Sequence, residues 1–533
     1  MSTEEIQAVL EGNVSKMNMV EGFDVVIVCT NNEKQASYWQ QRLEAAKGTA
    51  VSPDAVILAV NEDWEGGAGN ALGTLYAYQK AAALAMESDL DLSAQLAAGE
   101  ISVGLYHTAG KGTRLSPLPG SENNNKPGVK LAVSVDMDGT PASITILEGV
   151  VKQTGVYAKS RKGRLSVFWG DQVFIPSVGV EYESAFHADI LCTLGPMLDE
   201  EQWIEKGMDK YGLIAVNSEE QAAQVEKVSH EVATRLLASL GTIESVGASL
   251  GSFSMSFLLL ETFLEEFSEE LSAKEGKLDS DPHLWMPLTL EESAYIEIME
   301  SKGTDPEVSA AHHARMQECL AKFNAKEGAS DMGLFGAVNV GDEACWWDYG
   351  LLKLYRQNNR LLTADTAGAE LLRKFLGISE RVSGSTLGEE VSIDEASVVT
   401  ACEVGAGSIV DSVLSNVKCK YVEAEGCILV NVTAKRITAP KGSIIYNIMD
   451  DSSTGVCVTE GGVMVGVHGE DGSQMPVWSN ADSICGGKAW KKKVAGNSMS
   501  FEEIYGENHT TDVFAVEGMR AETAELMWAE IKG

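Results

Sequence analysis

The sequence predicts two structural parts. These are an α/β domain with a doubly wound mixed sheet over residues 1–380 and a left-handed parallel β-helix over residues 381–465. Continuous apolar runs, such as FDVVIVC at residues 23–29, are typical of strands buried on both faces, and helical stretches follow them. From Ser383 onward a small aliphatic residue recurs at intervals of about six, which is the rhythm of a parallel β-helix. At 533 residues the chain also exceeds what one hydrophobic core usually supports.

Composition narrows the classes of partner. The net charge of −37 is spread over many segments, which disfavours nucleic acid or an anionic membrane as a partner and equally suits a surface adapted for solubility. No apolar run approaches the roughly 20 residues that cross a bilayer, and the amino terminus is acidic where a secretory signal is basic. Nine cysteines without paired spacing fit reduced thiols better than a disulfide framework. We therefore expect a cytoplasmic protein.

The chain opens with strand and helix units. The strand at residues 23–29 leads into a helix that an Asn or Thr side chain would cap, and a second strand is predicted at residues 55–60. Gly66, Gly67 and Gly69 then stand directly before a helix, whose first N–H groups could bind an anion. A plain tight turn into that helix is the alternative.

The stretch at residues 101–133, ISVGLYHTAGKGTRLSPLPGSENNNKPGVKLAV, contains a dense group of residues that can bind phosphate. An apolar strand leads into a loop of small residues, which Arg114 and later Lys126 follow. Glycines let backbone N–H groups approach a phosphate, while an arginine fork and a movable lysine charge bind the same oxygens. The stretch therefore predicts a triphosphate cradle, although a simple turn between two elements is the alternative. The candidate loop donors are Thr108, Ala109, Gly110, Lys111, Gly112 and Thr113.

AGKGTRLSPL followed by KPGVKLAV resembles the signature of sugar-1-phosphate nucleotidylyltransferases, GGxGTRLxPLT with a downstream Lys-Pro. Ala109 stands where the family has glycine, and the stretch after Pro117 is longer than in the shortest members. The resemblance implies that a nucleoside triphosphate (NTP) and a sugar 1-phosphate react to give an NDP-sugar and diphosphate, with Mg²⁺ as cofactor. It also implies that Arg114 holds the β- and γ-phosphates and that Lys126 stabilises the α-phosphate.

Two aspartates are candidates for a metal site. A predicted strand at residues 165–173 ends in Gly170-Asp171, which puts a carboxylate at the carboxyl edge of the sheet, where ligands of open α/β folds bind. Oxygen ligands there suit Mg²⁺, although an aspartate that merely starts a turn is the alternative. In the family, Asp171 matches the first metal-binding aspartate. Trp347-Asp348-Tyr349-Gly350 resembles the family motif WxDxGT, which implies that Asp348 is the second.

The resemblance also points to contacts with the sugar phosphate. Glu226-Lys227 resembles the family's Glu-Lys-Pro turn, with Val228 in place of proline, so Glu226 would bind the sugar phosphate and Lys227 would be catalytic. A solvated ion pair on a strand is the alternative. Gly251 matches the glycine of the family's Asn-Ala-Gly strand, but Ser249 occupies the usual asparagine position, which leaves the sugar open.

The rest of the chain predicts elements that surround or follow the candidate site. Residues 257–333 read as an acidic helical insertion that could help close the sugar pocket, and His312 and His313 are expected at its surface. The β-helix contains no histidine that could act as a base, so we expect a structural or oligomeric role. Residues 466–533 form a mixed tail with a terminal helix, which we interpret as a docking or dimerising segment.

The sequence leaves open which nucleotide base and which sugar the protein uses. FDVVIVCTNNEKQASYWQQRL followed by GGAGNAL is similar to the amino-terminal part of guanylyltransferases that make GDP-L-fucose, which favours GTP with L-fucose 1-phosphate. UTP with glucose 1-phosphate is the alternative for a GTRLxPL-type loop. A catalytically silent paralogue that binds nucleotide sugars and regulates a partner is a further hypothesis. A homo-oligomer that forms through the β-helix or the tail is compatible with each of these hypotheses.

Overall fold

Two ten-stranded mixed sheets organise the described part of the chain, with helices around the first sheet. The computed structural model describes residues 2–137, 139–236 and 240–533. Within these ranges, no helix has both the length and the apolar character needed to span a bilayer.

The strands of the first 350 residues, in chain order, are β1 (Val25–Thr30), β2 (Val56–Asn61), β3 (Val103–His107), β4 (Lys130–Met137), β5 (Thr140–Thr145), β6 (Arg164–Trp169), β7 (Gln172–Ile175), β8 (Phe186–Cys192), β9 (Gly195–Pro196), β10 (Gly212–Asn217), β11 (Ala222–Glu226), β12 (Ile243–Ser256), β13 (Gly333–Asn339) and β14 (Cys345–Asp348). The helices up to residue 380 are α1 (Thr3–Asn18), α2 (Glu33–Ala45), α3 (Gly69–Met86), α4 (Leu92–Ala97), α5 (Leu118–Ser121), α6 (Ile146–Thr154), α7 (Glu200–Glu205), α8 (His230–Leu236), α9 (Phe257–Glu266), α10 (Ser268–Ala273), α11 (Met286–Thr289), α12 (Glu292–Ser301), α13 (Pro306–Asn324), α14 (Leu352–Arg360) and α15 (Ala367–Phe375).

The first sheet brings the ends of its central strands to one edge. Its order is β11-β10-β12-β6-β3-β1-β2, and β8 joins it beside β12 and carries β13. Strands β2, β1, β3 and β6 are parallel, whereas β12 runs antiparallel to β6, β8 and β10. His107 at the end of β3 pairs with Trp169 at the end of β6. The loops that follow these two strands therefore start side by side.

The chain turns between β6 and β7, so the prediction of one strand over residues 165–173 was wrong. The N–H of Gly170 donates to the carbonyl of His107 at 3.2 Å, and a side chain on Gly170 would meet that same oxygen. After the turn, β7 leaves the first sheet and pairs antiparallel with β14, with Gln172 opposite Asp348. This turn carries Asp171 to the strand that ends in Asp348.

The acidic insertion folds as helices α9 to α13. The expectation that His313 lies at the surface was wrong, because α13 packs against α12 and buries it. The Nε2 of His313 lies 3.0 Å from the carbonyl oxygen of Leu290, to which it donates. The histidine therefore stabilises the packing of these helices.

The second sheet consists of β15 (Val382–Ser383), β16 (Thr386–Ile393), β17 (Val398–Thr400), β18 (Glu403–Val410), β19 (Val413–Glu425), β20 (Ile428–Ala439), β21 (Ile444–Asp450), β22 (Val456–Cys457), β23 (Gly462–His468) and β24 (Gln474–Asn480). Its main order is β15-β17-β19-β20-β21-β23-β24, with β16 beside β18, β18 beside β19 and β22 beside β20. Neighbouring strands are parallel except β23 and β24, so the sheet continues beyond residue 465 to Asn480. Helices α16 (Gly486–Ala489), α17 (Phe501–Glu507) and α18 (Val513–Lys532) end the chain.

The segment between β3 and β4 is buried between the two sheets and the tail. Leu115 and Val129 belong to the same hydrophobic cluster as Ile444 of β21 and Ile504 of α17. Hydrogen bonds add to this contact: the Ser121 hydroxyl donates to the carbonyl of Gly466 in β23 at 2.5 Å. The packing of the tail therefore helps to fix the loop that was predicted to bind phosphate.

We expect stability to fall on mild acidification through His468, which lies at this junction. Burial lowers its pKa to about 4, and its Nε2 donates to the carbonyl of Asn447 at 2.8 Å. An unfolded histidine has a pKa of about 6.5, so between these values the unfolded chain binds more protons and stability decreases as the pH falls. From pH 7.5 to 5, the wild-type protein should lose about 2 kcal/mol more than His468→Gln in urea unfolding. Equal losses in the two proteins would contradict this assignment.

Candidate active site

A cavity of ≈ 690 Å³ opens at the carboxyl edge of the first sheet. Its walls come from the loops after β1, β2, β3 and β6, from the acidic insertion and from the tail. A volume of this size suits a small-molecule ligand. The lining residues are Asn31, Glu62, Gly66, Gly67, Gly69, Asn70, His107, Thr108, Ala109, Gly110, Lys111, Lys126, Pro127, Trp169, Gly170, Asp171, Lys277, Asp279 and Tyr505.

The predicted phosphate loop forms one wall of this cavity. Thr108 fixes its start, because its hydroxyl donates to the carbonyl of Cys29 in β1 at 2.8 Å. Ala109, Gly110 and Lys111 line the cavity. Gly112 and Thr113 lie behind them: Thr113 begins a 3₁₀ turn, and Gly112 has a φ of 61°. This loop therefore presents two small residues and one lysine at the cavity surface.

Gly112 is required by its contact with Lys126. A side-chain carbon built on Gly112 would lie 3.0 Å from Cγ of Lys126, and its positive φ also disfavours any other residue. The lysine stem therefore packs directly on the loop backbone. This contact sets the direction of the Lys126 ammonium toward the cavity.

The glycines after β2 line the cavity, but the helix N-terminus behind them is already capped. The N–H of Ala68 donates to the carboxylate of Glu62, and the N–H of Asn70 donates to that of Asp279, each at 3.0 Å. Carboxylates of the chain therefore engage two of the donors at this terminus, and anion binding by these glycines stays a prediction. Gly66, Gly67 and Gly69 provide a wall without side chains.

Four charged side chains predicted from distant motifs converge beside this cavity. The Lys126 ammonium forms an ion pair with Asp171. Burial, and then the nearby Asp171 carboxylate, raise the pKa of Asp348, while Arg114 and Lys126 act in the opposite direction. Each of these charges therefore lies close enough to influence Asp348.

Gly350 shows how closely the two carboxylates approach one another. A side-chain carbon on Gly350 would lie 2.9 Å from Oδ2 of Asp171 and 3.0 Å from Oδ1 of Asp348. Two carboxylates that face one point repel each other, and their hard oxygens are ligands that Mg²⁺ prefers. No group of three or more His, Cys, Asp or Glu side chains in the described ranges could hold a metal. The pair therefore fits an ion that also takes oxygens from a phosphate and from water.

Glu226 and Lys227, which were expected at the sugar phosphate, are not among the residues that line the cavity. The Lys227 ammonium lies 2.7 Å from Glu226, and Glu226 also pairs with Lys302. The Lys227 side chain is 59% exposed. The ion pair that was the alternative interpretation is thus the arrangement in this structure. Lys227 could reach a ligand only by leaving Glu226.

Gly251 supports an aromatic wall. Its φ is 75°, and a side-chain carbon there would lie 2.3 Å from Nε1 of Trp169. The Trp169 indole lines the cavity and packs on this glycine backbone. Gly251 therefore shapes the site through Trp169.

Several lining residues were not expected from the sequence, among them His107 and Lys277. Burial lowers the pKa of His107 to about 4, and its Nε2 lies 2.8 Å from the Thr74 hydroxyl, so it is neutral at physiological pH. A polar residue at the end of an apolar strand was a usable signal for His107. Lys277 follows α10 in the acidic insertion, where no local pattern distinguishes it.

Comparison with known proteins does not supply a function. The sequence matches no protein-family model, and a search of curated proteins returns no match. Cations and paired carboxylates beside a glycine-rich loop can bind and neutralise a polyphosphate with its metal ion.

Proposed function

We propose that this protein is a sugar-1-phosphate nucleotidylyltransferase, which converts an NTP and a sugar 1-phosphate to an NDP-sugar and diphosphate. The observation that carries the proposal is the convergence of Lys126, Asp171 and Asp348 at one side of a cavity walled by the loop at residues 108–111. These residues come from separate segments, and each was predicted from a different part of the family motif. A cytoplasmic location accords with this activity.

The reaction needs little acid–base chemistry. An oxygen of the sugar phosphate attacks the α-phosphorus, and a new P–O bond forms. The bond from the α-phosphorus to the bridging oxygen breaks, and diphosphate leaves with that electron pair. The sugar phosphate is already anionic at neutral pH, so no side chain has to remove a proton. The residues of the site contribute positioning and charge neutralisation.

Each cationic side chain binds a different phosphate group of the substrates. Lys126 exchanges its bond to Asp171 for the α-phosphate, and Arg114 holds the β- and γ-phosphates. Gly110 lets the backbone approach them closely. Lys227 leaves Glu226 to bind the sugar phosphate, and the Trp169 indole supported by Gly251 faces the sugar ring.

Asp171 and Asp348 would hold Mg²⁺ together with phosphate oxygens. When bound, Mg²⁺ neutralises charge on the α-phosphate and on the departing diphosphate. The mutual repulsion of the two carboxylates, which contributes to the raised pKa of Asp348, favours a cation between them.

Gly350→Ala tests this carboxylate pair. The new methyl group would press on both carboxylates, so the Mg²⁺ concentration for half-maximal diphosphate release should rise by about 10-fold or more. Gly368→Ala is the matched control, because a side-chain carbon there meets nothing within 4 Å. An unchanged Mg²⁺ requirement in Gly350→Ala would argue against the proposed metal site.

The second sheet supports the proposal of a left-handed β-helix with a structural or oligomeric role. Paired residues on strands β17 to β20 lie fifteen positions apart along the chain, as in Val398 with Val413 and Val413 with Ile428. Such regular stacking of parallel strands is the pattern expected for successive coils of a solenoid.

A diphosphate-release panel with Mg²⁺ would test the function. It crosses GTP, UTP, ATP, CTP and dTTP with fucose, glucose, mannose, galactose and N-acetylglucosamine 1-phosphates. We expect GTP with L-fucose 1-phosphate to react, and UTP with glucose 1-phosphate is the alternative pair. If no pair releases diphosphate but nucleotide raises thermal stability, a nucleotide-binding regulatory protein is the better interpretation. If neither diphosphate release nor thermal stabilisation is observed, both the enzyme and the regulatory-protein interpretations are overturned.

A further inference from the structure

The end of the chain packs on the phosphate loop. Gly486 in α16 lies against Thr113, where a side-chain carbon would come within 2.4 Å of the Thr113 carbonyl oxygen. The next residue, Gly487, lies beside Arg114 in the same way, at 3.5 Å from Cγ. The Asn124 amide donates to the carbonyl of Tyr505 at 2.6 Å. Residues 486–508, which we call the carboxy-terminal segment, therefore contact the loop both before and after Arg114.

This segment places one aromatic ring in the cavity wall. Tyr505 lines the cavity together with Lys111, and the Lys111 ammonium lies 5.4 Å from the centroid of its ring. Trp490 of the same segment supports Tyr505, with ring centroids 5.8 Å apart in an edge-on arrangement. A cation at this distance from an aromatic face is attracted to the ring.

The partner of Lys111 differs in kind from that of Lys126. Lys126 is paired with the Asp171 carboxylate, whereas no carboxylate oxygen of the described residues lies within 4.0 Å of the Lys111 ammonium. An aromatic face orients an ammonium without cancelling its charge. In a protein of net charge −37, such an ammonium provides local attraction for an incoming anion. Orientation before binding also lowers the entropy lost when the flexible lysine meets its ligand.

We propose that Tyr505 is a positioning residue for the nucleotide, holding the Lys111 ammonium at the cavity wall where it binds the terminal phosphates of the NTP. This inference rests on the proposed function and extends it, because it makes the carboxy-terminal segment part of the nucleotide site. Tyr505 acts through Lys111 and does not itself take part in the reaction.

The test is a double-mutant cycle on nucleotide binding by the full-length protein. Calorimetry measures the Kd of GTP and, in parallel, of UTP, each with Mg²⁺ and without sugar phosphate. Tyr505→Leu and Lys111→Ala are each expected to weaken binding by about 3- to 10-fold. The double variant should bind no more weakly than Lys111→Ala, because Tyr505 has no effect once Lys111 is absent. Tyr505→Phe, which keeps the ring, should restore the Kd.

Controls separate this inference from the proposed function and from misfolding. Tyr421→Leu is the matched control, since it removes an equivalent pair with Arg436 at 4.3 Å on the second sheet. It should leave the Kd unchanged. Additive losses in the double variant, or wild-type affinity in Tyr505→Leu, would overturn the role of Tyr505 and leave the proposed function intact. If Tyr505→Leu unfolds, a Tyr505→Phe variant that binds as weakly as Lys111→Ala would overturn it. Calorimetry of the wild-type protein with all five nucleotides of the release panel covers the proposed function, and failure to bind any of them would instead overturn that function.

Discussion

Lys126→Ala is expected to lower the rate of diphosphate release by about 10²- to 10⁴-fold at saturating substrates. In the proposed mechanism the ammonium neutralises charge that develops at the α-phosphate, and no other lysine among the cavity residues is held beside both Asp171 and Asp348. The loss should appear in kcat more than in KM, because the interaction strengthens in the transition state. Turnover of the best substrate pair from the panel is the measurement.

The fold should survive this substitution. The Lys126 side chain is 21% exposed and its pair with Asp171 reaches the cavity, so solvent can replace the lost partner. Lys16→Ala is the matched control: it removes a surface pair with Glu181 and should change neither turnover nor stability by a measurable amount. Wild-type turnover in folded Lys126→Ala protein would remove Lys126 from the mechanism.

The parts of the site that the sequence predicted are those encoded by short local patterns. Apolar runs correctly indicated β1, β3 and β6, and the polar residues that follow buried parallel strands meet at one edge. Asp171 was placed correctly at that edge even though the turn at Gly170 was missed. A prediction from strand ends is robust to such an error, because the carboxylate stays beside the turn.

The remaining parts depend on packing between distant segments. Tyr505 enters the cavity because α17 packs on α5 and on the hydrophobic cluster around Leu115, and no periodicity within the tail indicates that contact. The capping of the α3 terminus by Asp279 likewise needs the acidic insertion to fold back onto the glycine loop. Local sequence describes an element, but it does not state which other element will satisfy its polar groups.

A buried charge network joins these distant segments directly behind the site. Lys130, four positions after Lys126, donates to Glu122 at 2.8 Å and to Glu517 of α18 at 3.1 Å. Glu122 also accepts from Asn447 of β21 at 2.9 Å. Burial acts to raise the pKa of Glu517, but the cations around it, Lys130 first, hold that pKa far below its usual range. Lys130 therefore bridges the loop, the second sheet and the tail.

Among the substitutions named here, Lys130→Met should therefore cause the largest loss of stability, about 3–5 kcal/mol in the free energy of unfolding. Methionine fills a similar volume, so the loss comes from two carboxylates left without their shared cation. Only 2% of the Glu122 side chain is exposed, whereas 23% of the Glu517 side chain is. Urea unfolding followed by tryptophan fluorescence at pH 7.5 measures it, with Lys16→Met as a surface control expected to change by less than about 1 kcal/mol. Acidification should reduce the difference between variant and wild type, because Lys130 no longer holds the pKa of Glu517 low in the variant, so Glu517 takes up a proton more readily. A loss below about 1 kcal/mol that is independent of pH would mean that Arg42 and Arg520 hold both carboxylates without Lys130.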